Sequence, residues 1–488
     1  MLRKFYQMNN SDCIGNTFLK HLAEGPNEIQ IIQGEEKISR DKFAKNASGI
    51  RKFFIAQGVK CGDVVGLANT NQVTTIEAIF ALWSLGASPI TLDFKSSNDE
   101  IEHIKKITKL NYLFSDFNFM IKNSHALKIP DRDTLIGEIS DLTFKSSPIL
   151  TADFVQSSGT TALPKIKPTD TKSLYIAIKR YSLTEATPCR RNILTCSNLN
   201  FPAMRFYWYQ AIFFGKTIIS VPLFFSIQEL DAALSSDYAE EAKMAPVTII
   251  QLISYVKDQL SNFSEPRYPN IYNLQSVGGP LVGKKLCEGK TLLSENISVT
   301  YSSSEIGVIS RLSGRDIEKA PNSVGKPYAD MKVSILSDSN ENLPWGLVGN
   351  IHVEKDRKVL MPGDMGFLDE DGYLYITGRQ DEYICRKGIT FMAGDLEARI
   401  QKILGITECS IFCVNGDVPE EDTVIAAIGG DYKKLKEIKS QIRLKISSNI
   451  RPNYIRIYDK LPRTSGLKLA RNNLRLQYLA EQDKYDDI

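Results

Sequence analysis

Residues 39–115 alternate between two periodicities, and this alternation constrains the fold more than any other feature of the chain. From Ser39 to Gln57, the side chains Phe43, Ile50, Phe53 and Phe54 fall near one face of a helix, with Ser39 at the capping position. Val64-Val-Gly-Leu67 reads as a short strand after the turn Gly58–Asp63. Thr74 to Leu85 predicts a second helix that stops at Gly86, Ser88 to Leu92 returns as a strand, and Tyr112-Leu-Phe-Ser115 is another. Helices alternating with apolar strands cover a largely parallel sheet with helical layers, so the expected class is α/β.

The chain has 488 residues, which exceeds one ordinary core and implies two or three domains. Sixty basic and 57 acidic side chains leave a net charge of +3, which gives no case for nucleic acid or a membrane surface as partner. None of the eight cysteines forms a Cys-x-x-Cys pair, so neither a zinc site nor a redox motif is indicated. Met1-Leu-Arg-Lys4 is followed by polar residues rather than an apolar signal core, and apolar runs such as Ala78–Trp83 fall far short of a membrane span. The expected location is the cytoplasm.

Chemistry enters at Val155-Gln-Ser-Ser-Gly-Thr-Thr-Ala-Leu-Pro-Lys165. Ser157, Ser158, Gly159, Thr160 and Thr161 are all small or hydroxylated, so backbone N–H groups and hydroxyls can close around an anion, with the Lys165 charge beyond. The spacing is not that of a Walker loop. By composition alone the run is either a polyphosphate cradle or an ordinary loop.

Further along, Ser173–Arg180 reads as helix, Ile193–Cys196 as strand, and Phe201–Phe214 as an aromatic-rich segment that is either a buried helix or a pocket wall. Thr217–Val221 reads as strand and Ser226–Leu234 as helix, and Val247–Leu260 begins with a strand at Val247–Ile250. Gln275-Ser-Val-Gly-Gly-Pro-Leu281 places two glycines after a strand, where backbone can approach a flat ligand. Val299-Thr-Tyr-Ser-Ser-Ser-Glu-Ile-Gly307 follows, and then the Pro/Gly-rich turn and strand of Leu343–Val353. Asp369-Glu-Asp-Gly372 joins two apolar runs as a hairpin turn between Asp364 and Arg379. Beyond it come strands at Ser410–Val414 and Thr423–Ala427, a helix at Lys433–Ser447, and Leu461-Pro-Arg-Thr-Ser-Gly-Leu-Lys468.

In this order these stretches resemble the adenylate-forming superfamily of acyl-CoA synthetases, peptide-synthetase adenylation domains and luciferases, over nearly the whole chain. The departures are Ala162 and Ser302 for glycines, Asn350 for a glutamate, and Ser465-Gly466 one residue early. The resemblance implies a large N-terminal AMP-binding domain, 1–379, of layered α/β/α subdomains plus a β-barrel-like subdomain. It also implies a small mobile α/β lid, 380–488, hinged at Asp381.

It implies that Ser157, Ser158, Gly159, Thr160, Thr161 and Lys165 hold the ATP phosphates. Ser304 bonds the α-phosphate, Glu305 holds Mg²⁺ and Lys468 is the catalytic lysine. Gly278, Gly279, Pro280, Tyr301 and Tyr375 lie about the nucleotide. Asp364 takes the ribose hydroxyls beside Arg379. Asn200, Phe201, Met204, Arg205, Gly278 and Ser302 line the acid pocket, and Arg205 or Tyr207 reaches a polar substituent or faces solvent.

Pro202 stands where amino-acid-activating members carry an aspartate for the α-ammonium. An unpaired buried charge is costly, so an aryl or medium acyl acid is favoured over an α-amino acid. The implied activity is ATP-dependent formation of an acyl-adenylate, then thioester formation on coenzyme A or the phosphopantetheine of a separate carrier protein. The alternatives are a stand-alone enzyme loading an amino acid onto a carrier protein, and a degenerate nucleotide-binding relative without catalysis.

Overall fold

The computed structural model describes residues 12–480 apart from 94–95, 97, 118–119, 122–123, 148–149, 158–164, 185–191, 260–264, 304–305, 356–357, 380–382, 387–388, 404–405, 407, 415–422, 430–434, 449 and 464–468. The chain divides into two compact units. One comprises Met1–Ser158, Leu163–Ser304 and Ser313–Pro321, the other Gly159–Ala162, Glu305–Leu312 and Asn322–Ile488.

In the first unit, α1 (Arg40–Ala56) begins where the Ser39 hydroxyl accepts the Lys42 N–H. After β1 (Val64–Leu67), α2 (Gln72–Leu85) is capped by the Asn71 side chain and closed by Gly86 at φ 73°. Phe43 of α1, Phe80 of α2 and Phe18 meet edge to face, with centroids 5.1–5.5 Å apart, and anchor a fully buried core. β2 (Ser88–Thr91) and β3 (Tyr112–Ser115) flank β1 in a small parallel sheet. The antiparallel hairpin β4 (Thr151–Ser157) and β5 (Lys165–Asp170) carries the hydroxyl-rich run between its strands in sequence.

The larger parallel sheet follows. β6 (Ile193–Thr195) leads through α3 (Pro202–Phe213) to β7 (Ile218–Ser220), then through α4 (Ile227–Leu234) to β8 (Glu241–Met244). α5 (Pro246–Gln259), β9 (Asn273–Val277), α6 (Gly283–Leu292) and β10 (Ile297–Ser303) complete the series. β7 pairs with one edge of β6 and β8 with the other, while β9 and β10 extend the sheet beyond β8. The winding therefore reverses between β6 and β8.

Residues 246–259 form one helix, and the strand expected at Val247–Ile250 lies earlier, at β8. The reason is chemical. β8 reads Glu-Ala-Lys-Met, and buried parallel strands are normally apolar on both faces. Glu241 and Lys243 are fully buried because they pair with each other at 2.9 Å. Lys243 also donates to Gln275, which in turn donates to Thr300, and its ammonium lies 5.3 Å from the Tyr207 ring centre.

In the second unit, β11 (Lys332–Leu336), β12 (Gly349–Lys355), β13 (Lys358–Leu360), β14 (Asp364–Leu368) and β15 (Leu374–Arg379) form an antiparallel sheet where the β-barrel-like subdomain is expected. Towards the C terminus, α7 (Ala393–Gln401) and α8 (Leu435–Lys445) bury Leu396, Ile400, Ile438 and Ile442 with Ile411, Val424 and Ile455. The last three come from β16 (Glu408–Val414), β17 (Thr423–Gly429) and β18 (Tyr454–Tyr458). Among the described residues no helix is long and apolar enough to cross a membrane. The mixed α/β class expected from sequence is the class observed.

Candidate active site

In open parallel sheets ligands bind outside the carboxyl ends of the strands, at the point where the winding reverses. Here that point lies between β6 and β8, and three connections meet there. The loop after β6 ends at Asn200 and Phe201, β8 passes through Ala245 into α5 at Pro246, and the turn after β9 is Gly278-Gly279-Pro280. Gly278 has φ 91°, and a Cβ on it would stand 2.7 Å from Phe201 Cζ. A Cβ on Gly279 would meet Pro246 Cγ at 3.4 Å. The turn thus needs glycine at 278 for both conformation and clearance, and it leaves bare backbone between an aromatic ring and a proline.

Around this shelf the expected residues separate into two groups. Asn200, Phe201, Gly278 and Gly279 are half-buried, and Pro280 and Ser302 are exposed. The Asn200 backbone N–H donates to Asn198 Oδ1 at 2.9 Å, while its Nδ2 is buried with no partner among the described residues. Tyr301 continues β10, which pairs with β9. Met204 and Arg205, by contrast, are fully buried.

This corrects the reading of Arg205 as a side chain that reaches substrate or solvent, because its guanidinium is turned into the protein against Asp153. Tyr207 is 4% exposed and lies beneath the Lys243 ammonium, so it does not face solvent either. Cys196, directly after β6, is no nucleophile, since burial pushes its thiol up to about 12.

In the second unit Asp364 and Arg379 are register partners on β14 and β15, with Asp364 Oδ1 3.8 Å from Arg379 Nε. Gly363, at φ 77°, leaves room beside Arg379, as a Cβ there would lie 3.1 Å from Nη2. Tyr375 is set apart from this pair. It lies four residues back, about 13 Å along the strand, stacks on Phe367 with centroids 4.6 Å apart, and donates its hydroxyl to Asp369 at 3.1 Å.

Ser158, Gly159, Thr160, Thr161, Ser304, Glu305, Asp381 and Lys468 lie outside the described residues, as do the side chains of Ser157 and Lys165. Among the described residues no group of three His, Cys, Asp or Glu could hold a metal ion.

The fold is that of an α/β protein with a bare glycine turn at the carboxyl ends of its parallel sheet, the place where such sheets receive ligands. Comparison with known proteins gives the family. A model of the AMP-binding enzyme family matches residues 18–363, and the chain belongs to that family. It is similar to the 2-succinylbenzoate–CoA ligase of Oceanobacillus iheyensis, 24% identical across 93% of this chain and 97% of the relative. It is also similar to gramicidin S synthase 2 of Brevibacillus brevis, 20% identical across 97% of this chain but only 12% of that much longer protein.

Among solved structures, O-succinylbenzoate coenzyme A synthetase (MenE) from Bacillus subtilis in complex with AMP shares the fold. The TM-score is 0.77 with 18% identity, covering 94% of this chain and 98% of that one. The same Bacillus subtilis protein in complex with ATP and magnesium ion gives a TM-score of 0.74, again at 18% identity, covering 94% of this chain and 99% of that one.

Proposed function

We propose that the protein joins a small carboxylic acid to AMP at the expense of ATP and then transfers the acyl group to a thiol, acting as an acid–thiol ligase. The observation that carries the proposal is the bare Gly278-Gly279 backbone at the winding reversal, bounded by Phe201, in a chain of the AMP-binding family. Such a shelf suits a flat adenine or acyl group, because nothing beyond the backbone blocks its approach.

A carboxylate is a weak nucleophile that the triphosphate repels. The enzyme must hold it in line with the α-phosphorus and neutralise the charge that builds there. In this reading the hydroxyl-rich turn after β4, with Thr160 and Thr161, cradles the leaving phosphates together with Lys165 at the start of β5. Ser304 binds the α-phosphate and Lys468 supplies a positive charge. Asp364 accepts both ribose hydroxyls, which its two oxygens allow, with Arg379 beside it.

Magnesium needs one or two carboxylates plus phosphate oxygens, which Glu305 and ATP would supply. It would shield the phosphate charge. The acid oxygen bonds to phosphorus and pyrophosphate leaves, giving an acyl-adenylate. A lid comprising 380–488 then turns about Asp381 and withdraws Lys468. A thiolate attacks the acyl carbon, the thioester forms and AMP leaves.

The relative that acts on 2-succinylbenzoate with coenzyme A supports an aryl acid and coenzyme A as acceptor. The likeness to gramicidin S synthase 2 favours a second reading, in which an amino acid is loaded onto a carrier protein. Pro202 weighs against it, because nothing at that position pairs with an ammonium. A panel of aryl, acyl and amino acids in an ATP–pyrophosphate exchange assay, followed by coenzyme A, tests the proposal. Exchange with an aryl acid and thioester release are expected. Exchange driven only by an amino acid would establish the second reading, and no exchange with any acid would refute both.

A further inference from the structure

Arg205 is 1% exposed, yet it carries a charge that the apolar wall around it does not need. Its Nε donates to Asp153 Oδ1 and Oδ2 at 2.9 and 3.0 Å, and its Nη2 lies 2.8 Å from Oδ1. Nη2 also donates to the Phe154 carbonyl at 3.1 Å, and Nη1 to Thr91 Oγ1 at 2.6 Å and to the Leu199 carbonyl. One planar fork thus joins helix α3, strand β4, strand β2 and the loop that ends at Phe201. A second tie runs parallel to it, since Gln156 Nε2 of β4 donates to the Thr91 carbonyl at 2.7 Å.

A buried ion pair is a poor way to gain stability, because apolar residues of equal volume serve as well or better. What a guanidinium fork adds is direction, as its donors are fixed in one plane. Asp153 lies four residues before the end of β4 at Ser157, about 13 Å along the strand. A 10° tilt at that point would carry the strand end sideways by roughly 2 Å. Placement errors of even ~1 Å can lower activity by about a hundredfold.

We propose that Arg205 and Asp153 form a positioning pair that sets the direction of the β4–β5 hairpin and so of the phosphate-binding turn between its strands. This rests on reading that turn as the polyphosphate cradle. The pair links the helix that begins beside the shelf to β4, the strand that leads in sequence into that turn. Nucleotides that carry β- and γ-phosphates therefore depend on it, and AMP, which lacks them, does not.

The test is calorimetric titration of the full-length protein with ATP plus magnesium and, separately, with AMP. Wild type, Arg205→Lys, Asp153→Asn and Thr91→Val are compared, with thermal melts as a folding check. Arg205→Lys keeps the charge but loses the fork. It and Asp153→Asn are each expected to weaken ATP binding by about tenfold or more while AMP binding shifts by less than about twofold. Thr91→Val removes one acceptor and spares the ion pair, so an ATP-selective loss of about threefold is expected. It remains decisive if the charged variants fail to fold.

Equal losses for ATP and AMP, or an unchanged ratio in folded variants, would overturn the positioning role and leave the proposed function standing. A wild-type protein that binds neither nucleotide would instead overturn the proposed function, and this inference with it.

Discussion

Replacing Gly278 by alanine imposes two separate penalties on the crevice, and both follow from the geometry. At φ 91° an alanine enters a region disfavoured for L-residues, at about 1–2 kcal/mol. Its Cβ would also stand 2.7 Å from Phe201 Cζ where ordinary contact begins at 3.4 Å, so the ring must give way. Overpacking of this kind costs about 1–3 kcal/mol.

The sum, about 2–5 kcal/mol, is expected as a lower urea midpoint, with the Michaelis constant for the acid raised by about tenfold or more. Phe201→Leu in the same background separates the penalties. It frees space but cannot change φ, so a double-mutant cycle should return about 1–3 kcal/mol of coupling and leave the conformational part in place. A Gly278→Ala protein that denatures and turns over like wild type, or a cycle with no coupling, would refute the reasoning.

Three further outcomes are expected. Asp364→Ala should raise the Michaelis constant for ATP by about ten- to a hundredfold, the scale of hydrogen bonds to a charged acceptor, without changing which acid is used; a matching loss with 2′,3′-dideoxy-ATP in wild type checks that the ribose hydroxyls are the cause. Glu77 is fully buried, and burial pushes its carboxyl up to about 7 against the pull of Arg132, so the folded state keeps a proton that the unfolded chain releases above the ordinary glutamate value of 4.5. Its contribution to stability is therefore complete below about 4.5 and declines, by on the order of a few kcal/mol, as pH rises to about 7. Urea midpoints between pH 4.5 and 8 should diverge accordingly from those of Glu77→Gln, and parallel curves would contradict this. Lys468→Ala should abolish ATP–pyrophosphate exchange while leaving thiolation of a supplied acyl-adenylate; survival of the exchange would remove Lys468 from the mechanism.

Local signals were legible where one residue carries the physics. Ser39 caps α1, and Gly86 closes α2 in the left-handed region. The glycine pair after β9 and the hairpin that sets Asp364 opposite Arg379 were legible for the same reason, since turn chemistry is local.

What escaped depends on partners distant in sequence. β8 does not read as a buried strand because Glu241 and Lys243 break the apolar pattern, and their compensation comes from each other and from Gln275, 32 residues on. Arg205 reads as a pocket residue because its neighbours are aromatic, while Asp153, the side chain that turns it inward, stands 52 positions away. The partners of Tyr375 were likewise not legible, since it stacks across the strands on Phe367 and donates its hydroxyl to Asp369. A search for charged residues in otherwise apolar segments would have flagged Arg205, Glu241 and Lys243 without naming their partners.

The most direct measurement is pyrophosphate release from ATP and magnesium by the wild-type protein, with and without 2-succinylbenzoate or a related aryl acid, with the adenylate trapped and weighed by mass spectrometry. Acid-dependent release matched by one acyl-adenylate per enzyme, which coenzyme A then converts to a thioester and AMP, is the expected result. Release that is indifferent to every carboxylic acid, or adenylate that never appears, would contradict adenylation as the work of this crevice.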